Sequence, residues 1–205
     1  MVGFILSDHT SITPSQIKLA RNVISYAFYN DPLMIHLFPQ PKERKCKLPL
    51  MMKLILRIGI KYGIVHATSH NLEGIAVWFP SNKAKITPWM GLLNGGLSYF
   101  FKLGRKTIKK QNNLYNYVHS KRKEHLPLNY WYLSIIGINP LYQGKGFSRV
   151  LFNSMFNQID EQELPCFLDT NNKKNLLIYK RFGFRIVEEY QIPETNVINW
   201  AMIRK

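Results

Sequence analysis

The stretch YWYLSIIGINPLYQGKGFSRVLF, residues 130–152, restricts the fold more than any other part of this chain. Residues 130–139 form a β-type run, and Pro140 ends it. From Gly146 apolar residues recur at helical spacing. A strand that feeds a helix through so short a loop belongs to an α/β sheet. The loop is nearly bare: Gly144 and Gly146 lack side chains, and Lys145 between them adds charge. A helix start offers unpaired N–H groups and the positive end of the helix dipole, which together favour a phosphate. Two common phosphate motifs do not fit. A P-loop needs Ser or Thr after the Gly-Lys pair, where this chain has Gly146. The dinucleotide fingerprint needs a third glycine, where this chain has Arg149. Taken alone, the loop reads equally well as a glycine turn between strand and helix.

The rest of the chain supplies neighbours for that strand. FILSDH (4–9) reads as a short strand. TPSQ (13–16) reads as a helix start, with Thr13 as N-cap and Gln16 closing a capping box; Ile17, Ala20, Val23, Ile24 and Ala27 follow at helical spacing. NDPLMIHLFP predicts a turn and a short helix, and residues 43–62 a long one. GIVHATSH (63–70) and EGIAVWFP (73–80) predict a hairpin. TPWMGLLNGGLSYFFKLGRK (87–106) repeats the Thr-Pro start, and its NGG predicts a kink before a basic helix over 107–125. Beyond the loop come a helix to about 162, a strand over 166–170, a helix over 173–182 and a closing hairpin, 185–193 with 196–205. This order predicts an α/β (α+β) fold, with a mixed, mostly antiparallel sheet of six to seven strands, one parallel crossover and flanking helices.

Composition narrows the setting. Apolar residues make up 46% of 205, including 12 Phe and 11 Tyr, enough for a packed core. Cys46 and Cys166 lie far apart with no metal-type spacing, which fits a reduced, cytoplasmic protein. The N-terminus lacks the basic and apolar regions of a signal peptide. LPLMMKLILRIGI (48–60) is too short to span a bilayer and carries Lys53 and Arg57, so no membrane partner is expected. Net charge is +16, and no Asp or Glu occurs between Glu73 and Glu124. No nucleic-acid module accompanies that basic interval, so a polyanionic cofactor or an acidic partner explains it more simply.

Two blocks carry a family resemblance. IGINPLYQGKGFS resembles the acyl-CoA pyrophosphate loop of the GNAT acyltransferase superfamily, with Gln143, Gly144, Lys145, Gly146, Phe147 and Ser148 over the pattern Q/R-x-x-G-x-G/A. Ser148 departs from the final Gly or Ala but is small and can donate to phosphate. LDTNNKKNLLIYKRFGF (168–184) resembles the block in which an Asn and a Tyr, four residues apart on one helix, face the thioester; here these are Asn175 and Tyr179. Both stretches, with IPETNVINWAMIRK, are similar to the puromycin N-acetyltransferase-like branch, and SYAFYNDPLMIHLFP and GIAVWFP resemble it more loosely.

The resemblance implies a GNAT fold over 1–205 as one domain, with 129–205 binding acyl-CoA and 1–128 forming a substrate side with helical elaboration. It implies acetyl-CoA as co-substrate, no metal, and direct transfer to the amine of a small molecule or peptide by a monomer or homodimer. The strand 130–139 would splay from 166–170, and backbone at Ile136, Gly137 and Ile138 would pair with pantetheine. Tyr179 is the candidate general acid for the departing sulfur. A core aromatic at helical spacing is its plain alternative. The central strand has no carboxylate, so Asp169 is the leading base, although it serves as readily to cap the following turn. Glu73 reads as a solvated charge and His36 as structural. A missing strand carboxylate favours an acceptor amine of low pKa, near 7.7–8 rather than about 10.4. The aromatic stretches around 24–32 and 88–101 are candidate pocket walls, and the helical segment 87–125 a cover that favours a small acceptor. Rival readings are a protein N-acetyltransferase and a CoA-binding sensor without turnover.

Overall fold

A computed structural model describes residues 10–205 of the chain, so the strand expected at 4–9 lies outside the described residues. Seven strands form one sheet in the order β1-β2-β3-β4-β5-β7-β6. Their bounds are β1 Thr10–Ser11, β2 Ile64–Ala67, β3 Gly74–Pro80, β4 Trp131–Ile138, β5 Cys166–Thr170, β6 Arg185–Gln191 and β7 Ile198–Arg204. Every pairing is antiparallel except β4 with β5. The mixed sheet and its hairpins match the expected fold class.

Strand alternation sends side chains to two cores. On one face Ile75, Val77 and Phe79 pack with helices α1 (Ile17–Ala27), α2 (Pro32–Leu37) and α3 (Pro41–Tyr62), and with the run α4 (Pro88–Gly91), α5 (Leu97–Leu103) and α6 (Arg105–Lys123). On the other face Ala76 and Trp78 pack with α7 (Phe147–Glu161) and α8 (Lys173–Arg181). The helix starts follow local chemistry. Pro32 sits in the first turn of α2, and the Asp31 carboxylate accepts from the N–H groups of Leu33 and Met34. Gln16 accepts from the Thr13 N–H at 3.1 Å, as its expected place in the capping box requires. The kink expected at NGG is present between α4 and α5, where Gly95 has φ +96°.

One irregularity shapes everything that follows. Val77 of β3 faces Ile135 of β4, but Trp78 faces Leu133, so Ser134 is an extra residue. This β-bulge bends β4 and shifts its alternation. Trp131 and Leu133 join the α7–α8 core, whereas Ile135 joins the opposite one.

Candidate active site

The bulge lies where β4 and β5 part. Their parallel pairing runs from Trp131↔Cys166 to Leu133↔Leu168 and stops. From Ser134 onward β4 stays on β3, through Ile136, Gly137 and Ile138, while its other edge faces no strand among the described residues. The expected splay is therefore present, opened by the bulge. Gly137 suits this point because a Cβ there would lie 3.0 Å from that of Ala27.

Beyond β4 the loop turns on two glycines in the left-handed region, Gly144 at φ +79° and Gly146 at φ +83°. Among the described residues no side chain caps α7; Arg149 N–H bonds the Gly146 carbonyl at 3.0 Å, and the N–H groups of Phe147 and Ser148 remain available. A Cβ added at Gly144 or Gly146 would meet nothing within 4 Å, which leaves room above the backbone for a bulky anion. Gln143, although exposed, donates from its side chain to the Ile138 carbonyl at 3.2 Å. Lys145 is exposed, with its ammonium 5.2 Å from the Tyr142 ring centre. Phe147 and Ser148 begin the helix, both half-buried.

The wedge between β4 and β5 opens into a cavity of about 850 Å³. Residues 134–136 of β4, Asp169 and Thr170 of β5, and Asn175 and Tyr179 of α8 form its floor; α3, the kinked α4–α5 segment and α6 cover it. Residues from both aromatic stretches reach it, among them Phe28, Tyr99 and Phe100. The two readings of Tyr179 merge here. Its ring meets Phe152 and Phe184 edge-on at 6.2 and 6.1 Å, and the residue also lines the cavity. Burial, and secondarily the Asp31 carboxylate, raise its pKa against the opposing effect of Asn175, so the phenol keeps its proton.

The candidate carboxylates separate. Asp169 is enclosed beside Arg122 of α6. Arg122 donates to its Oδ2 from Nε at 3.0 Å and from Nη2 at 2.8 Å, and Tyr132 donates to the same oxygen at 3.3 Å. The guanidinium also lies 3.7 Å from the Tyr132 ring centre. Burial pushes the Asp169 carboxyl up, with Arg122 and Tyr132 opposing. Asp169 does not cap the next helix; Asn172 does, accepting from Lys174 N–H at 3.1 Å. Glu73 is not a solvated charge. It is buried, accepts from Thr68 Oγ1 at 2.7 Å and Ser69 Oγ at 2.8 Å, and clasps the β2–β3 turn. His36 ends α2, outside the cavity wall.

Two residues escaped the sequence reading. Arg122 belongs to the basic helix that the sequence predicts over 107–125, yet it is 1% exposed. The signal was its spacing: Leu114, Val118 and Arg122 stand four apart on the buried face of α6. Asp31 lines the cavity, and burial raises its carboxyl to about 6 despite the two backbone N–H groups it accepts. In the sequence NDPLMIHLFP signals a turn and a short helix, which does not reveal that Asp31 reaches a cavity.

No protein-family model matches the chain. An uncharacterised N-acetyltransferase of Schizosaccharomyces pombe is 30% identical over 191 residues, spanning 87% of this chain and 74% of the relative. Among solved structures, the C-terminal condensation domain of Ebony, in complex with β-alanyl-dopamine, aligns with a TM-score of 0.70 at 9% identity, over 96% of this chain and 97% of that one. A Corynebacterium glutamicum structure named as a histone acetyltransferase and related acetyltransferase aligns with a TM-score of 0.64 at 19% identity, over 95% and 93%. The relative matches across most of both chains, and the sheet, its splayed strand pair and the glycine loop are the architecture that the resemblance implied: the chain is an acetyltransferase and belongs to the GNAT superfamily.

Proposed function

We propose that the chain transfers an acetyl group from acetyl-CoA directly to an amine of a small molecule or peptide. The observation that carries this reading is the edge of β4 beyond Leu133, left without a strand partner among the described residues, with Tyr179 and the cavity beside residues 134–136 and the bare loop 143–148 following the strand's far end. In this reading the backbone of Gly144 to Ser148 holds the pyrophosphate, with Lys145 adding charge and Gln143 bracing the loop. Backbone groups of Ile136, Gly137 and Ile138 pair with the pantetheine amides, and an N–H there polarises the thioester carbonyl. Asn175 flanks the thioester. Tyr179 donates its proton to the sulfur as the C–S bond breaks. Holding amine and thioester side by side supplies much of the remaining advantage.

A small acceptor is favoured over a folded protein because the acceptor space is a cavity of about 850 Å³ walled by residues of α3, α4, α5 and α6 as well as of the sheet. The Ebony domain, of similar fold, is bound to β-alanyl-dopamine, itself an acylated amine. The test is acetyl-CoA-dependent thiol release over a panel of amines, with puromycin included, alongside thermal stability. Acetyl-CoA should raise the melting temperature in a dose-dependent way, and NAD and ATP much less. Equal stabilisation by ATP, or no thiol release with any amine, would overturn the reading.

A further inference from the structure

We propose that Asp31 seats the acceptor's ammonium and takes its proton, and that the acceptor is a primary monoamine on an apolar body. The inference rests on the acetyl-transfer reading and adds to it the substrate class and the base. Four charged side chains line the cavity: Asp31, Lys85, Arg122 and Asp169. Arg122 and Asp169 neutralise each other. Lys85 is exposed. That leaves Asp31 as the uncompensated charge facing inward. Its Oδ1 accepts from Leu33 N–H at 2.9 Å and Met34 N–H at 3.3 Å, whereas its Oδ2 accepts no hydrogen bond among the described residues. A carboxylate oxygen on a cavity wall with no partner is a place for a cation.

Three tyrosines of the wall are already engaged. Tyr99 donates to Gln111, and Tyr115 accepts from Ile86 N–H at 2.7 Å and donates to the Ala84 carbonyl at 3.2 Å. Tyr132 is held by Arg122 at 2.7 Å. An acceptor meets apolar surface, such as Met51, Met52, Ile55, Leu97 and Phe100, neutral polar groups such as Ser134 and Asn199, and at Asp31 a carboxylate in no salt bridge among the described residues. A polyamine's second ammonium would find Asp169 already paired. An amino acid's carboxylate would meet Arg122 already paired with Asp169, and Lys85 only where the wall is exposed. The missing strand carboxylate therefore does not restrict the acceptor to low-pKa amines, because α2's cap supplies a base.

The step balances. The ammonium gives one proton to Asp31, and the freed nitrogen pair attacks the thioester carbon. The C–N bond forms, the C–S bond breaks, and sulfur leaves with its electron pair and the Tyr179 proton. The second nitrogen proton restores Tyr179, the amide keeps the third, and Asp31 releases its proton to water.

The test uses the full chain, with phenethylamine and hexylamine against spermidine and phenylalanine. Calorimetric titration without acetyl-CoA should show both monoamines binding, spermidine and phenylalanine at least tenfold weaker, and Asp31→Asn losing the monoamines. In turnover, Asp31→Asn should lower kcat/KM by about 10²-fold or more, with acetyl-CoA affinity unchanged. Monoamine binding without turnover would sustain the pocket assignment while overturning acetyl transfer. Turnover that prefers spermidine, or that survives Asp31→Asn intact, would overturn this inference and leave acetyl transfer standing.

Discussion

Tyr179→Phe separates the two jobs of one side chain. The ring still packs edge-on against Phe152 and Phe184, so the fold and acetyl-CoA binding should persist. Only the hydroxyl is lost. General acid help is typically worth about 10²–10⁴-fold, and a thiolate leaves fairly well unaided, so kcat should fall by roughly 10² with little change in the acetyl-CoA KM. Steady-state kinetics on an accepted amine decides; full activity would move proton delivery to water. Asp31 can be read through stability as well. Its folded pKa, about 6, lies above the ordinary value of 3.8, so between about pH 4 and 6 the native state binds more proton than the unfolded chain. Stability therefore falls as pH rises through that window. Asparagine keeps a capping oxygen without the charge. Asp31→Asn should raise the unfolding free energy at pH 7 by up to about 3 kcal/mol and change it little at pH 4, as denaturant melts at the two pH values would show. An equal effect at both would mean the carboxyl is unperturbed. In kcat/KM, Asp31 should contribute an acid limb near pH 6. Tyr179, on α8, and Tyr99, Tyr115, Tyr132, Asp169, Arg122 and Lys85, around the cavity, are the other charged or titratable groups on its walls. A limb that survives Asp31→Asn belongs to one of them.

Elements explain which parts of the site the sequence revealed. The loop at 143–148 was legible because its chemistry is contiguous: bare backbone at a helix start needs only neighbours in sequence. The same holds for Asn175 and Tyr179, one turn apart on α8, and for the kink at Gly95. The Ser134 bulge was not legible, since it exists only as a register between β3 and β4. Nor was the Arg122–Asp169 pair, which joins α6 to β5 across 47 residues. Two predictions belong at this scale. Arg122→Met should cost about 3–5 kcal/mol, because it strands Asp169 as a buried, unpaired charge. Arg122→Met with Asp169→Leu should recover most of that loss in urea unfolding; a double variant no better than the single would mean the pair's packing, not its charge, is what matters. Gly146→Ala meets no neighbour but forces an alanine to φ +83°, at a cost of about 1–2 kcal/mol. Its methyl also enters the space proposed for the pyrophosphate, so acetyl-CoA should bind at least tenfold more weakly by titration calorimetry. Unchanged affinity would reduce the loop to a turn.

For the whole molecule the question is where a net charge of +16 goes. The basic interval seen in the sequence does not form one uniform surface. Arg122 is inside, Lys110 donates to the His36 carbonyl at 2.7 Å and so ties α6 to α2, and Lys121 pairs with Glu188 at 3.0 Å and Glu124 at 3.1 Å. Lys102, Arg105, Lys106 and Lys109 remain exposed along α5 and α6. The proposed pyrophosphate loop belongs to the other half of the chain, between β4 and α7. Charge at Lys106 and Lys109 should then act on acetyl-CoA only through the long-range field, which salt screens within about 8–10 Å. Reversing both to Glu, and leaving Lys110 in place to spare the α2 tie, should keep the acetyl-CoA dissociation constant within about twofold at ~0.15 M salt. The variant should also melt at nearly the parent temperature, since surface changes of this kind move stability by about 0.5 kcal/mol or less. The competing use of such a surface is nucleic acid, and it has a different signature. Affinity for bulk DNA or RNA would then fall linearly with salt on a logarithmic scale, with a slope set by the number of phosphates neutralised. Micromolar binding with that slope, lost in the double reversal, would give α5 and α6 a polyanion-binding role that acetyl transfer does not require.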